Sequence, residues 1–452
     1  MYYIDSTKDK PNIDNLFDRV NRLMKEGIRT KNLDSLLEEL REEKGKLTRE
    51  IRDLYGIDNP NSHNQILKYF DREINKEILN LVDLRFTGSS VADIKRFMCM
   101  CYDNKDRSID DLILRLGDKS DSFMQIKDIL GKLLDTSIAQ YIYKEGKWTT
   151  NKNVMAQLSL LGRADAVNLM QYRKLKNHTE TIEKLIETSD NKGYIHPAVS
   201  LSKTNRIQYS SPALLNIPKE ILWNVIRPKK EGNILISVDI KNQEPSIMIN
   251  MLGIEELQCL LANSDTLYES IYYDIFENYP NTFERKELKV AWLSLTYGAS
   301  LKSIEESCTH IDGERVYKYF TSFKPYKQYK KKCTALAKQN VQTTYTYFNT
   351  RLYANEIGSR LKRVLMDLPI QGTGSDVLAL LVEHFDREVY SRGLSDLVKL
   401  YYTRHDELII EVDKCFYTSV GEEEVIEILR DIFEHQVDNW TPFKVEIEAV
   451  NS

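Results

Sequence analysis

Glycine and proline are scarce in this chain of 452 residues: 18 glycines and 11 prolines, about 6% together, where about 12% is usual. So few breakers beside 29% charged residues exclude a many-stranded β protein and point to long surface helices. Cysteine is scarce as well. Six thiols in this length exclude a disulfide scaffold. Cys99 and Cys101 stand too close for a CxxC zinc knuckle, and Cys259, Cys308, Cys333 and Cys415 are scattered. Reduced thiols and no structural zinc are therefore expected. No run of 18 apolar residues occurs, and the opening MYYIDSTKDKPN has no apolar leader, so a soluble, unsecreted protein without membrane contact is expected. An excess of positive charge is also missing. Lys and Arg number 63 against 68 Asp and Glu, a net charge of −5, so a nucleic-acid partner would require a locally basic groove. What is present is a hydrophobic fraction of 42%, enough for a sizeable core in about three structural units.

The first third of the chain alternates apolar residues with dense charge, as in LDSLLEELREEKGKLTREIRDLYG, with Leu and Ile at helical spacing. The breaker cluster IDNPNSHNQ (57–65) interrupts it, a second charged helical region follows to about 145, and Thr150 or Asn151 caps the helix after that. Near residue 193 the texture changes. Segment 233–240 (NILISVDI) reads as a strand, and 398–412 as a β-hairpin with Arg404, His405, Asp406 and Glu407 near its tip. Long helical patterns occupy 284–297 and 355–385 between them, which makes an α+β fold with a small antiparallel sheet.

Asp239 ends the strand, and Asp406 with Glu407 stands at the hairpin tip. Carboxylates at strand ends can converge, and they repel one another unless a cation joins them. Hard divalent cations take such oxygen ligands and suit phosphate chemistry, although solvated strand-end acids would look the same. In ERKELKVAWLSLTYGAS, Arg285 and Lys289 are four apart on one helix face, Tyr297 lies near the same stripe, and Gly298 follows at a natural helix end. Two cations and a phenol there can hold a triphosphate and cover a base; a solvated basic face is the alternative.

These segments together resemble a family A DNA polymerase, the class of bacterial DNA polymerase I and many phage replicative enzymes. DIKNQEPS (239–246) is similar to motif A, usually DYSQIELR; R-x₃-K-x₇-Y-G (285–298) matches motif B; RHDELIIEV (404–412) matches motif C. RIQYSSPALLNIP (206–218) is similar to RLSSTDPNLQNIP, and RVLMDLPIQGTGSD (363–376) to the block ending PIQGTAAD. Fainter likeness covers 47–70 and the thumb-like segment KWTTNKNVMAQL…LMQYRKLKNHTETIEKL, while residues 75–145 carry none.

The resemblance implies a right-handed polymerase of palm, fingers and thumb. The expected division is a helical extension at 1–40; palm entry and thumb at 41–192, with an unmatched helical insertion at 75–145; palm at 193–250; fingers at 251–350; and palm again at 351–452. It further implies that Asp239, Asp406 and the Ile240 carbonyl bind two Mg²⁺ ions (Mn²⁺ as substitute), with Glu407 as accessory acid. Arg285 and Lys289 would meet the incoming triphosphate, Lys289 giving a proton to pyrophosphate. Tyr297 would stack at the nascent pair, Glu244 would block a ribose 2′-hydroxyl, and Gln243 and Leu293 would complete the nucleotide site. Arg206 and Gln371 would read minor-groove acceptors, and Arg363 and His405 would hold template and primer. Arg173, Lys174 and Lys176 of the thumb would contact phosphates. The implied partners are primer–template DNA and dNTPs, with a processivity or replisome partner at the thumb insertion, for a monomer in the cytoplasm (the host's, if phage-encoded).

The departures from the pattern matter. Gln243-Glu244-Pro245 replaces Ile-Glu-Leu, Ser246 replaces Arg, Leu293 stands where Phe or Tyr is usual, and Asp367 replaces Asn. In DTLYESIYYDIF (265–276), Leu267 takes the place of His and removes a phosphate contact. No exonuclease is expected, because Asp71-Arg72-Glu73 lies in a charged helical pattern and not on a strand. Single-subunit RNA polymerases share R-x₃-K-x₇-Y-G but carry a small residue where Glu244 stands; a DNA-binding accessory without activity is the non-enzymatic rival. Gly372 and Gly374 read as helix-entry glycines, the 98–101 Met-Cys run as core, and KPYKQYKKK (324–332) as either a track for a nucleic-acid backbone or a solvated face.

Overall fold

The computed structural model describes residues 1–87, 89–144, 146–263 and 266–450. Residues 88 and 145 of the unmatched stretch, and Asp265 at the head of DTLYESIYYDIF, lie outside them. The chain forms two compact units, Met1–Lys31 with Glu187–Ser452, and Asn32–Ile186.

The first unit is organised by a four-stranded antiparallel sheet in the order Val398–Arg404, Glu407–Val412, Ile234–Ile240, Val445–Ala449. Leu235, Ile236, Val238 and Ile240 of the central strand are all buried, so both of its faces are covered and its sequence is a continuous apolar run. The hairpin turn is the pair His405-Asp406, with His405 in the left-handed region at φ 56°. The fourth strand, Val445–Ala449, adds to the strand and hairpin expected from sequence. Its V-E-I-E-A alternation is short and marks an edge strand with one solvated face.

Beside the sheet runs one helix, Gly358–Ser391, which passes through Pro369. Gly372 and Gly374 therefore stand inside this helix and not at its entry, which corrects the sequence expectation. Their reason is close packing: a Cβ on Gly372 would lie 2.5 Å from Leu352 Cδ1, and one on Gly374 2.8 Å from Gln243 Oε1. Against it pack the helices Lys324–Lys338, Gln243–Leu252 and Ile13–Glu26.

Helix Thr282–Thr296 starts at Asn281, whose side chain accepts from the backbone of Phe283 and Glu284 while Glu284 returns a bond to the Asn281 N–H at 2.7 Å. Such a capping box contributes about 1 kcal/mol. Leu288, Ala291, Trp292 and Leu295 form its buried stripe. Trp292 meets Phe320 edge-on at 4.5 Å, and Phe320 meets Tyr326 in the same way. The opposite stripe, Arg285, Lys289 and Leu293, is thereby fixed in direction.

Residues 1–40 are not a helical extension. Strand Tyr2–Ile4 pairs in parallel with His435–Val437, helix Ile13–Glu26 is tied by Arg19 to Asp386, and Ile28–Thr30 sits between Tyr194–Ile195 and Ile226–Arg227 in a three-stranded sheet. Ile4, Val20 and Ile28 are fully buried, so residues 1–31 belong to the core of the first unit. Position 40 falls within helix Leu33–Tyr55 of the second unit.

That second unit is helical, with Leu33–Tyr55, His63–Leu81, Val91–Asp103, Lys127–Thr136 and Ala164–Thr188 as main elements. Ser62 caps the helix after the breaker cluster, and Asn151 caps Lys152–Leu160. Residue 75 lies inside His63–Leu81, so the stretch 75–145 does not begin at an element boundary. Asp71-Arg72-Glu73 is on this same helix, Arg72 bonded to the Tyr55 carbonyl at 3.0 Å and Glu73 to Lys76 at 2.7 Å. Buried Asp165 joins the helices by accepting from Tyr69 at 2.6 Å and pairing with Arg163.

Candidate active site

A cavity of about 530 Å³ opens at the end of the central strand, lined by Asp239 to Pro245, Tyr268, Arg285, Lys289, Leu293, Asp406 and Glu446. Residues from three separate sequence motifs thus share one hollow. Asn242, left-handed at φ 50°, turns the chain from strand to helix Gln243–Leu252. Pro245 falls in the first turn of that helix, where no backbone donor is required, so this departure fits the turn. Gln243 is buried against the long helix, 3.5 Å from the Gly374 carbonyl.

Sheet register arranges the acids. Arg404, Glu407, Asp239 and Glu446 face one another across the four strands. Residues directly opposite in antiparallel strands share a face, and like charges there repel. Burial first, then the charges of Asp406 and Glu407, push the Asp239 carboxyl up to about 7. Burial also raises the carboxyl of Asp406. Neither forms an ion pair among the described residues.

Glu407 behaves differently. Its carboxylate accepts from Ser237 and pairs with Lys219 at 2.9 Å, and Lys219 also reaches Glu448 at 2.9 Å. The expected accessory acid therefore stands beside Asp239 but does not line the cavity, because Lys219 and Ser237 hold it.

Two cations also line the cavity. Arg285 pairs with Glu269, and the Arg285 and Lys289 head groups lie 5.8 and 6.0 Å from the ring centre of buried Tyr268. Leu267, at the expected histidine position, is itself buried, and its neighbour Tyr268 supplies the surface under both cations.

Glu244 anchors a third group. Tyr297 donates to one of its oxygens and Arg206 pairs with the other at 2.5 Å. Gln371 also reaches the Tyr297 hydroxyl. Asp367, one helical turn before Gln371, has a buried oxygen without a hydrogen-bond partner. Burial and then Glu244 push its carboxyl up to about 6, against Arg206.

The remaining expected contacts lie elsewhere. His405 is in the turn, its imidazole lowered by burial, and Arg363 is exposed on the long helix. In the second unit, Arg173 gives a 2.8 Å bond to the Thr150 carbonyl, Lys176 pairs with Glu180 at 3.4 Å, and Lys174 is exposed on the same helix. Sequence reading missed Tyr268, Lys219, Ser237 and Glu446. Lys219 directly follows the NIP block, and Glu446 lies in the V-E-I-E-A alternation.

The donor set of Asp239, Asp406 and the Ile240 carbonyl is all hard oxygen. Among the described residues no three His, Cys, Asp or Glu side chains form a metal cage. Two carboxylates and a carbonyl fit Mg²⁺, which completes its shell with water and substrate phosphate oxygens.

DNA polymerase I of Rhizobium leguminosarum is 25% identical over 300 residues, covering 60% of this chain and 28% of that protein. DNA polymerase I of Aquifex aeolicus is 26% identical over 263 residues, covering 54% and 44%. The chain thus spans less than half the length of these curated relatives. The fold is similar to the POL domain of Pol1 from M. smegmatis, solved in complex with DNA primer-template and dNTP, with a TM-score of 0.63 and 18% identity over 96% of this chain and 69% of that one. The small antiparallel sheet with its helical surroundings is thus the polymerase right hand. The model of DNA polymerase family A matches residues 107–452, beginning inside the stretch 75–145 that carries no motif likeness. With three-quarters of its length matched, the chain belongs to DNA polymerase family A.

Proposed function

We propose that this chain is a template-directed DNA polymerase that extends a primer 3′-hydroxyl with dNTPs and has no proofreading activity. The observation that carries the reading is the shared cavity, which Asp239 and Asp406, Arg285 and Lys289, and Glu244 line together. The relatives named DNA polymerase I, and a structural neighbour captured with primer-template and dNTP, support it.

In this reading Arg285 and Lys289 hold the triphosphate, and the primer oxygen attacks the α-phosphorus in line as the bond to the β-phosphate bridge breaks. Asp239, Asp406 and the Ile240 carbonyl would hold two Mg²⁺ ions, or Mn²⁺ in their place, which supply activation of the hydroxyl and charge stabilisation. Lys289 gives a proton to the departing pyrophosphate. Glu244, fixed by Tyr297 and Arg206, fills the space of a ribose 2′-hydroxyl. Gln371, His405 and Arg363 meet the DNA near the primer end, and Lys174 and Lys176 meet duplex phosphates. Arg206 has two roles here, securing Glu244 before DNA arrives and reading the minor groove afterwards.

Primer extension with dNTPs or rNTPs, on DNA and RNA templates, tests the proposal. DNA-templated growth with dNTPs is expected. Growth with rNTPs at the same rate would point to an RNA polymerase, and binding without growth to an accessory protein.

A further inference from the structure

One face of the four-stranded sheet concentrates negative charge. Ser237 and Asp239 lie two apart on the central strand and so share a face. Register sets Glu448 opposite Ser237, and sets Glu407 and Glu446 on either side of Asp239. Four carboxylates thus share this face, with Asp406 just beyond it in the hairpin turn. Like charges so placed repel, and the same cross-strand row brings Arg404 opposite Glu407. Arg404 is a distant partner, however. It gives a 2.9 Å bond to the Ile217 carbonyl and stands 3.8 Å from Glu407.

The close cation comes from outside the sheet. Lys219, the first residue of helix Lys219–Val225, places its ammonium 2.9 Å from Glu407 and 2.9 Å from Glu448. The ammonium also lies 5.3 Å from the ring centre of Trp223, one turn along the same helix. Ser237 donates to the Glu407 oxygen that Lys219 pairs with. Glu407 is 5% exposed, so this lysine and not solvent balances its charge. The result is a division among the acids. Asp239 and Asp406 line the cavity, while Glu407, neighbour of one in register and of the other in sequence, does not. Strand pairing alone does not separate them, because side chains directly opposite are about 5 Å apart at Cβ. Lys219 is the group that draws the third carboxylate aside.

We propose that Lys219 is a positioning residue that keeps Glu407 from becoming a ligand of the divalent cations, and so sets how tightly the Asp239–Asp406 site holds them. This rests on the metal assignment made in the proposed function. Mg²⁺ held by one or two carboxylates keeps positions for water and substrate phosphate oxygens. A third carboxylate would bind the ion more tightly and take a position that phosphate needs. Lys219 therefore lowers metal affinity and keeps the site open to substrate.

Mn²⁺ binding to the full chain without DNA or nucleotide, followed by the paramagnetic resonance signal of the free ion, tests this. Lys219→Gln is expected to tighten Mn²⁺ binding about tenfold, because a carboxylate beside the ion loses its neutralising partner. Lys219→Arg keeps the charge and should stay within about twofold of the parent. Lys219→Gln with Glu407→Gln should lose the gain. In primer extension, Lys219→Gln should reach half its maximal rate at a lower Mg²⁺ concentration, with a lower kcat at saturating metal. Structural damage alone weakens metal binding and does not tighten it. Unchanged or weaker Mn²⁺ binding in Lys219→Gln, or a gain that persists when Glu407 is also replaced, would overturn the inference. Asp239→Ala separates the two readings. If it keeps the parent's Mn²⁺ affinity, the metal assignment falls and this inference with it; if it loses binding while Lys219→Gln gains none, this inference alone falls. Lys219→Met, which keeps an apolar stem beside Trp223, is a second variant with the same expected gain, and melting temperatures confirm that the variants fold.

Discussion

Tyr297, at the end of the helix that carries Arg285 and Lys289, donates its hydroxyl to Glu244 in the first turn after the central strand. Two elements far apart in sequence are thereby locked at the proposed sugar edge. Glu244→Ala is expected to raise ribonucleotide incorporation by orders of magnitude with a smaller loss on dNTPs. A steric block exceeds the ~1–3 kcal/mol available from one methylene-sized contact. Tyr297→Phe removes one of the two anchors, leaves Arg206, and should relax the selection less. The check is kcat/KM for dCTP against CTP opposite template G in each variant.

Asp239→Ala and Asp406→Ala should each abolish extension while primer–template binding survives, because duplex affinity comes from phosphate contacts elsewhere. Calorimetric Mg²⁺ titration of the free protein should lose its signal in both. Glu407→Ala should be milder, since Lys219 and Ser237 already occupy its carboxylate. Retention of more than a few per cent of activity in either Asp variant would remove the metal assignment.

Asp376, fully buried in the long helix, accepts one hydrogen bond from Thr350 at 3.0 Å and leaves its second oxygen without one. Burial pushes its carboxyl up to about 6. An unfolded aspartate titrates near 3.9, so between about pH 4 and 6 the native state holds a proton that the unfolded state has lost. Stability is therefore full below about pH 4 and falls as pH rises to about 6, by ~2–3 kcal/mol. Asp376→Asn should remove this slope and stabilise the protein at neutral pH. Urea unfolding at several pH values measures it.

Gly298 has φ +84°, and a Cβ there would lie 2.6 Å from Met366 Sδ. Gly298→Ala should cost ~1–3 kcal/mol from the backbone conformation, with a further cost for displacing Met366. Chemical denaturation gives the difference.

Residues lying within single motifs were legible in sequence. Asp239, Arg285, Lys289 and Asp406 occur at fixed spacings on predictable elements, and they meet in one cavity. Tyr268 follows Leu267, which stands at the expected histidine position, and nothing in the local pattern marks the tyrosine. Glu446 and Lys219 reach the acids through strand register and a short helix, and neither relation leaves a local trace. Tyr2–Ile4 is too short to carry a period, and its partner lies at the other end of the chain. Gly372 and Gly374 were misread because packing against Leu352 and Gln243, not helix entry, requires them.

The parallel pairing of Tyr2–Ile4 with His435–Val437 has a kinetic consequence. During synthesis the first strand emerges long before its partner, so it waits unpaired until His435–Val437 is made. Residues 32–186 are contiguous and need no such delay. A ribosome-bound chain halted before residue 435 should thus expose Tyr2 and Ile4 to a protease, and release of the completed chain should protect them.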